Sequence, residues 1–317
     1  MRNKFCFLPS VIVFALALAA CGVKVSPNAI SAKIEEQKNL LGIVGGQRAQ
    51  ENDEISKHVV LITIEQPLAD NNVKVQVGTG VIISNRFIVT AAHVFENMKI
   101  KSGPQDSGRT AYLNFGLARK AGSRQEFFAR DFINKSAVDL SDPNYLDRPG
   151  ASDYVFIRIP NGLPPGYSKM AVMTDKNDLE HGKRIKTAGY GETNNGVSDL
   201  TLRTLDLTVG STDSNHPMMP VGRIVNSFGL NYFLESITVG SHRTGDGDSG
   251  GPVYYESQEG GRSHLVLAGI HSSAQFFDSY STCSSHDSDS CKVANYNLRA
   301  DAFLDEAIRI AKSLSQQ

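Results

Sequence analysis

A hydroxyl placed to act as a nucleophile sits at Ser249, inside the hexapeptide Gly247-Asp248-Ser249-Gly250-Gly251-Pro252. A serine hydroxyl attacks a carbonyl only when a base takes its proton and donors await the oxyanion that forms. The glycines around Ser249 permit tight, unusual dihedrals, so the amides of Gly247 and Ser249 can converge on one oxygen as an oxyanion hole. Alone, the hexapeptide also reads as a surface turn, because Gly, Asp and Ser are ordinary turn residues. A base is available in Thr90-Ala91-Ala92-His93, where His93 follows the apolar run Phe87-Ile88-Val89. An acid to orient that base is available in Asp153, which opens the apolar run Tyr154-Val155-Phe156-Ile157. Asp139, Asp142 and Asp147 compete for that role, but they stand in polar loop sequence. Asp153 alone begins a strand that would bury and hold it. Hydroxyl, imidazole and carboxylate together are the set that covalent acyl transfer requires.

The elements that must position these residues are short apolar runs bounded by turn residues. They are 59–64, 75–83, 112–115 and 154–159, then, after a Pro/Gly-rich break at 160–166, 184–190, 202–209, 232–239, 252–255 and 265–270. Many short strands with turns between them predict an all-β barrel or sandwich. The chain ends differently. Ala302, Phe303, Ala307, Ile310, Ala311 and Leu314 recur at helical spacing and predict an amphipathic C-terminal helix over about 299–315.

The N-terminus reads as an export signal. Arg2 and Lys4 precede an apolar stretch from Val11 to Ala20, too short to span a bilayer comfortably. Leu18-Ala19-Ala20-Cys21 resembles a bacterial lipobox, in which Cys21 is lipidated and becomes the first mature residue. An ordinary signal peptide with an incidental cysteine is the alternative. Residues 1–20 are then the signal, and 21–42 a polar tether or propeptide. The expected location is a membrane, with the protein facing the periplasm or exterior.

Bulk composition narrows the rest. Of 317 residues, 40% are hydrophobic, enough for a substantial core. Lys and Arg number 32 against 33 Asp and Glu, so charge makes no case for nucleic acid or anionic membrane surfaces. Cys283 and Cys291 remain for the folded domain, and in an oxidising compartment a local disulfide is the default. His286, Asp287 and Asp289 between them invite a metal, yet two cysteines eight apart fit none of the usual zinc spacings. No metal is assigned, and no cofactor is implied.

The order His93, Asp153, Ser249 resembles that of the chymotrypsin-like (trypsin family) serine endopeptidases. Other landmarks fall in sequence: Ile43-Val44-Gly45-Gly46 resembles the mature N-terminus, and Gly78-Thr79-Gly80 the strand before the histidine. Pro143-Asn144-Tyr145, Thr187-Ala188-Gly189-Tyr190-Gly191 and Leu267-Ala268-Gly269-Ile270-His271-Ser272 follow. The resemblance implies two packed six-stranded antiparallel β-barrels, the first over about 43–165 and the second over about 180–298, within a protease domain 43–317. It implies a peptidase whose triad is His93, Asp153 and Ser249, acting on protein or peptide substrates. It implies an activation pair, in which a freed Ile43 ammonium joins Asp248. Leu41-Gly42 precedes Ile43 where the family has Arg or Lys, so another, unknown protease would make the cut. No cysteine lies between 22 and 42, so that cut would also release the domain from its anchor. The disulfide that brackets the histidine in many relatives is missing, with Thr79 and Val94 in the expected places.

The specificity pocket departs from the trypsin branch. Arg243 stands where an aspartate binds Lys or Arg. Thr244 and His271 look like the carboxylate-binding pair of glutamyl endopeptidases, and Ser272 and Ala274 complete the pocket walls. An acidic residue before the scissile bond is the expected preference. Two other readings stay open: a catalytically silent binding lipoprotein on the same fold, and an esterase using the same triad.

Overall fold

The structure is a computed structural model describing residues 43, 46–68, 72–96, 98–119, 123–133, 153–191, 199–211, 233–239, 244–276 and 292–315. The predicted signal, lipidation site and tether, together with Arg243, Cys283 and Cys291, lie outside these residues, as do Asp139, Asp142 and Asp147.

Six strands build the first sheet: β2 (Val59–Pro67), β3 (Val73–Ile82), β4 (Phe87–Thr90), β5 (Thr110–Asn114), β6 (Arg124–Phe127) and β7 (Val155–Arg158) follow the order β6-β5-β2-β3-β4-β7. Every pairing is antiparallel, and an added bridge from Phe132 to Ile157 curls the two edges toward each other. β1 (Gln47–Arg48) precedes this sheet in sequence but pairs with β10 (Arg203–Ser211) of the second. The stretch expected to open the first barrel therefore leans on the other one.

The second sheet closes fully. β9 (Arg184–Gly189), β10, β11 (Phe233–Val239), β14 (Lys292–Arg299), β13 (Arg262–Phe276) and β12 (Pro252–Glu259) form a ring, because β9 pairs with both β10 and β12. β1 and β8 (Ala171–Val172) are two-residue additions to that ring. The architecture is mostly β, two six-stranded units followed by α1 (Asp301–Ser315). No helix among the described residues is long and apolar enough to cross a membrane.

Alternation along the strands explains how two barrels share one interface. Val60, Ile62 and Ile64 of β2 fill the first barrel, while Val59 and Leu61 join the cluster that runs into the second. β4 and β7 split likewise: Ile88, Val155 and Ile157 point into the first barrel, and Phe87, Val89 and Phe156 point across. Strands buried on both faces read as continuous apolar runs, which is why these were prominent in the sequence. β6 and β14 form no such run, since RQEF is mostly polar and KVANYNLR is interrupted by Asn295 and Asn297 and bounded by Lys292 and Arg299.

The helix braces this interface. Phe303, Ala307, Ile310 and Leu314 are buried along one face. Phe303 stacks against Tyr154 and Phe156, with ring centroids 5.5 and 6.2 Å apart, and Tyr154 donates its hydroxyl proton to Glu306. These contacts fix the start of β7, immediately after Asp153.

One sequence assignment shifts by a residue. Gly78, not Thr79, faces Val94: a Cβ on Gly78 would lie 2.6 Å from Val94 Cγ1. The valine packs on bare backbone where relatives have a disulfide, so Thr79 is freed for another contact.

Candidate active site

His93 lies in a single 3-10 turn, Ala92–Phe95, directly after β4. Its backbone amide donates to Asp153 Oδ1 at 3.0 Å, and its ring Nδ1 to Oδ2 at 2.7 Å. The second of these bonds sets the tautomer. Nε2 is then left to accept from Ser249 Oγ, 2.8 Å away. Burial works against a charged ring, but the Asp153 carboxylate outweighs it and holds the His93 pKa above the usual imidazole value. Burial likewise opposes the Asp153 charge, and the His93 ring, its amide and the Ser272 hydroxyl together hold that carboxyl below the ordinary range.

Ser272, which the sequence assigns to the pocket walls, turns its side chain to Asp153. Its hydroxyl donates to Asp153 Oδ2 at 2.6 Å. The cause is a β-bulge. His271 pairs with Asn297 and Ser273 with Tyr296, which leaves Ser272 as the extra residue on β13. A bulge re-aims one side chain without breaking the strand.

The turn carrying Ser249 is pressed flat against the first barrel. Gly247 and Gly250 have φ of +96° and +82°, conformations that disfavour any side chain. A Cβ on Gly250 would lie 2.1 Å from Thr90 Oγ1 and 2.4 Å from the Thr79 carbonyl. Gly250 N–H donates to the His271 carbonyl at 2.7 Å and Gly251 N–H to that of Asp248 at 2.8 Å. Among the described residues, nothing accepts from the amides of Gly247 and Ser249. Two unengaged donors beside a hydroxyl that is hydrogen-bonded to an imidazole are what a tetrahedral oxyanion would need.

The chain matches the trypsin family over residues 43–286, more than half its length. It belongs to the trypsin family. The solved structure of neuropsin, a serine protease expressed in the limbic system of mouse brain, is similar with a TM-score of 0.55. The likeness covers 84% of this chain and 99% of that one at 16% identity, and so speaks for the fold. No curated protein matches.

Within this trypsin-family frame Asp248 points away from the catalytic groups. Its two oxygens accept from Gly191 N–H and Gly245 N–H, each at 2.8 Å. Burial pushes its pKa up to about 7, because those amides and the more distant Arg203 only partly offset the loss of water, and Asp246 adds like charge. Ile43 is completely buried in the same core cluster as Ala188 and Tyr190. The glycines flanking those two, Gly189 and Gly191, lie against the Asp248 carboxylate, so close that a Cβ would meet it at 2.2 and 2.5 Å. Gly46 donates its amide proton to the Ile43 carbonyl.

Behind the serine turn lies a buried polar layer that the apolar runs of the sequence do not mark. Thr244 Oγ1 donates to Asn295 Oδ1 at 2.7 Å, and His271 Nδ1 lies 3.2 Å from Asn297 Oδ1. Both asparagines are fixed in orientation. Asn295 Nδ2 donates to the Ser236 carbonyl, and Asn297 Nδ2 donates to the carbonyls of Leu234 and Asn295 and to Ser236 Oγ. Asn297 must then turn its oxygen to His271, which requires the proton on Nδ1 and leaves Nε2 of a neutral ring bare. Burial holds the His271 pKa at about 4. Ala274 pairs through its backbone with Asn295. The alternation Asn295-Tyr296-Asn297, two amides on one face of a strand, was the available signal for this layer.

Proposed function

We propose that the protein is a serine endopeptidase. The supporting observation is the His93 ring bridging Asp153 at 2.7 Å and Ser249 at 2.8 Å beside two unengaged amides. Ser249 Oγ attacks the peptide carbonyl as its proton passes to His93 Nε2. The oxyanion takes the amides of Gly247 and Ser249. Asp153 steadies the imidazolium, which then returns the proton to the leaving amine. Water repeats the cycle on the acyl-enzyme. A fluorophosphonate should label wild-type protein at Ser249, and S249A should lose both label and peptide cleavage by at least about a thousand-fold. Cleavage of esters without peptides would favour an esterase, and no label at all a binding protein.

For specificity, we propose an acidic residue before the scissile bond, received chiefly by His271, since the Thr244 proton is committed to Asn295 and Thr244 could donate only by giving up that bond; Arg243, next to Thr244 in sequence, adds charge. Because Asn297 holds the His271 proton on Nδ1, a substrate carboxylate meets Nε2 only after that nitrogen is protonated too. Acidic substrates then bind with proton uptake, and their advantage over glutamine analogues shrinks as pH rises. Peptide libraries cleaved at pH 5.5 and 8 test both parts. Cleavage only after hydrophobic or basic residues would end this reading.

The placement of the domain follows from the N-terminal sequence. We propose export, lipidation at Cys21 and anchoring to a bacterial membrane, with activation by a cut after Gly42 that frees the Ile43 ammonium for Asp248. Active enzyme retained on membranes with an intact 42–43 bond would contradict that scheme.

A further inference from the structure

Thr79 makes four hydrogen bonds where the first barrel meets the serine turn. Its amide donates to the Ser249 carbonyl at 2.9 Å, and its hydroxyl to the Gly247 carbonyl at 2.9 Å. The same oxygen accepts from Tyr190 N–H at 3.2 Å, and the Thr79 carbonyl accepts from Thr90 Oγ1 at 2.7 Å. The residue is fully buried, so water cannot replace any of these partners.

A hydroxyl has one proton. Tyr190 N–H takes the acceptor side of Thr79 Oγ1, which commits that proton to Gly247. The two carbonyls that Thr79 holds belong to Gly247 and Ser249, the residues whose amides are unengaged. Gly247 sits at φ +96° and has no side chain to limit its rotation, so its peptides need an external hold. Asp248 N–H donates to the Gly245 carbonyl at 3.1 Å, but that bond lies within the turn and cannot tie it to the other barrel.

We propose that the Thr79 hydroxyl is a positioning residue that keeps the Gly247 amide aimed at the oxyanion. It clamps the serine turn of one barrel to a strand of the other, where Gly78 and Val94 leave no disulfide. The inference rests on Ser249 being the nucleophile.

The test is Thr79→Val, which keeps the shape and removes the donor, alongside Thr79→Ser, which keeps the donor. Wild-type and variant full-length chains are expressed and processed side by side. T79V should lower kcat on the order of 10- to 100-fold with little change in KM, a smaller loss than deleting a hole donor outright. Affinity for a peptide boronate should fall in parallel, whereas affinity for the cleaved product should hold within about two-fold. The acid limb of the pH profile, set by His93 and Asp153, should not move. T79S should stay within about three-fold of wild type. If T79V fails to fold, T79A, which cannot clash, takes the same measurements. A variant that loses melting temperature but keeps kcat and boronate affinity would reduce Thr79 to a structural tie and overturn the inference. A wild-type chain that neither labels with fluorophosphonate nor cleaves would instead bring down the reading of Ser249.

Discussion

Two aspartates in this protein have lost nearly all contact with water, and their pKa values are displaced in opposite directions. Asp153 is 2% exposed and Asp248 1%. Burial raises the pKa of both. Asp153 nevertheless finishes below the ordinary carboxylate range, because its donors include a ring that can carry a full positive charge, besides an amide and a hydroxyl. Asp248 has two well-placed amides and finishes near 7. At Asp248 two neutral hydrogen bonds do not offset the burial; at Asp153 the neighbouring ring, with its amide and a hydroxyl, does. The first aspartate has an ionisable ring in direct contact, and the direct partners of the second among the described residues are neutral amides.

Removing the charge of Asp153 should have the largest effect. In D153N the side chain remains but the charge goes, and the His93 tautomer is no longer enforced. The kcat for a peptide ester should drop by about ten-thousand-fold, with KM and melting temperature much less affected. A loss of only a few-fold would mean that this carboxylate orients nothing, and one of the polar-loop acids would become the candidate again.

Asp248 offers the next largest effect, read as stability. Its folded pKa, about 7, lies above the ordinary 3.8. Between about pH 4 and 7 the folded chain therefore holds a proton that the unfolded chain has released. The contribution to stability is complete below that window and is lost as pH rises through it, by at most on the order of 4 kcal/mol. Urea unfolding of S249A protein would show the decline when the chain is continuous. The decline should largely vanish after cutting at an engineered site before Ile43, as the new ammonium pairs with the carboxylate. Parallel curves for cut and continuous chains would exclude Ile43 as the partner.

The difference between these aspartates was only half visible in the sequence. A carboxyl opening Tyr154-Val155-Phe156-Ile157 is bound to be buried, and an imidazole after Phe87-Ile88-Val89 stands at the end of a neighbouring strand. Such apolar runs and the glycines of the Ser249 turn speak through local rules, so the two six-stranded units and the three side chains that meet between them could be read. What resisted reading depends on register. Ser272 turns onto Asp153 because of a bulge, and no local pattern marks one. The polar layer of Asn295 and Asn297 lies on a strand that alternates amides with apolar residues and so forms no continuous apolar run. Thr79 and Gly78 exchange roles through a single-residue offset, which in a strand moves a side chain to the opposite face.

Ser272 gives the finest test. Its hydroxyl shares Asp153 Oδ2 with the His93 ring, at 2.6 and 2.7 Å, and so draws off part of the negative charge the ring would otherwise feel. In S272A that oxygen serves the ring alone. The imidazolium is then better stabilised, the His93 pKa rises further, and the protonated, inactive form persists to higher pH. The plateau of kcat/KM should fall by no more than about ten-fold, while its acid limb moves upward by a fraction of a pH unit. A limb moving downward would show that the hydroxyl matters chiefly by keeping Asp153 ionised. With Ser272 gone, the burial that lifts Asp248 would then also begin to lift Asp153, and the two carboxyls would start to converge.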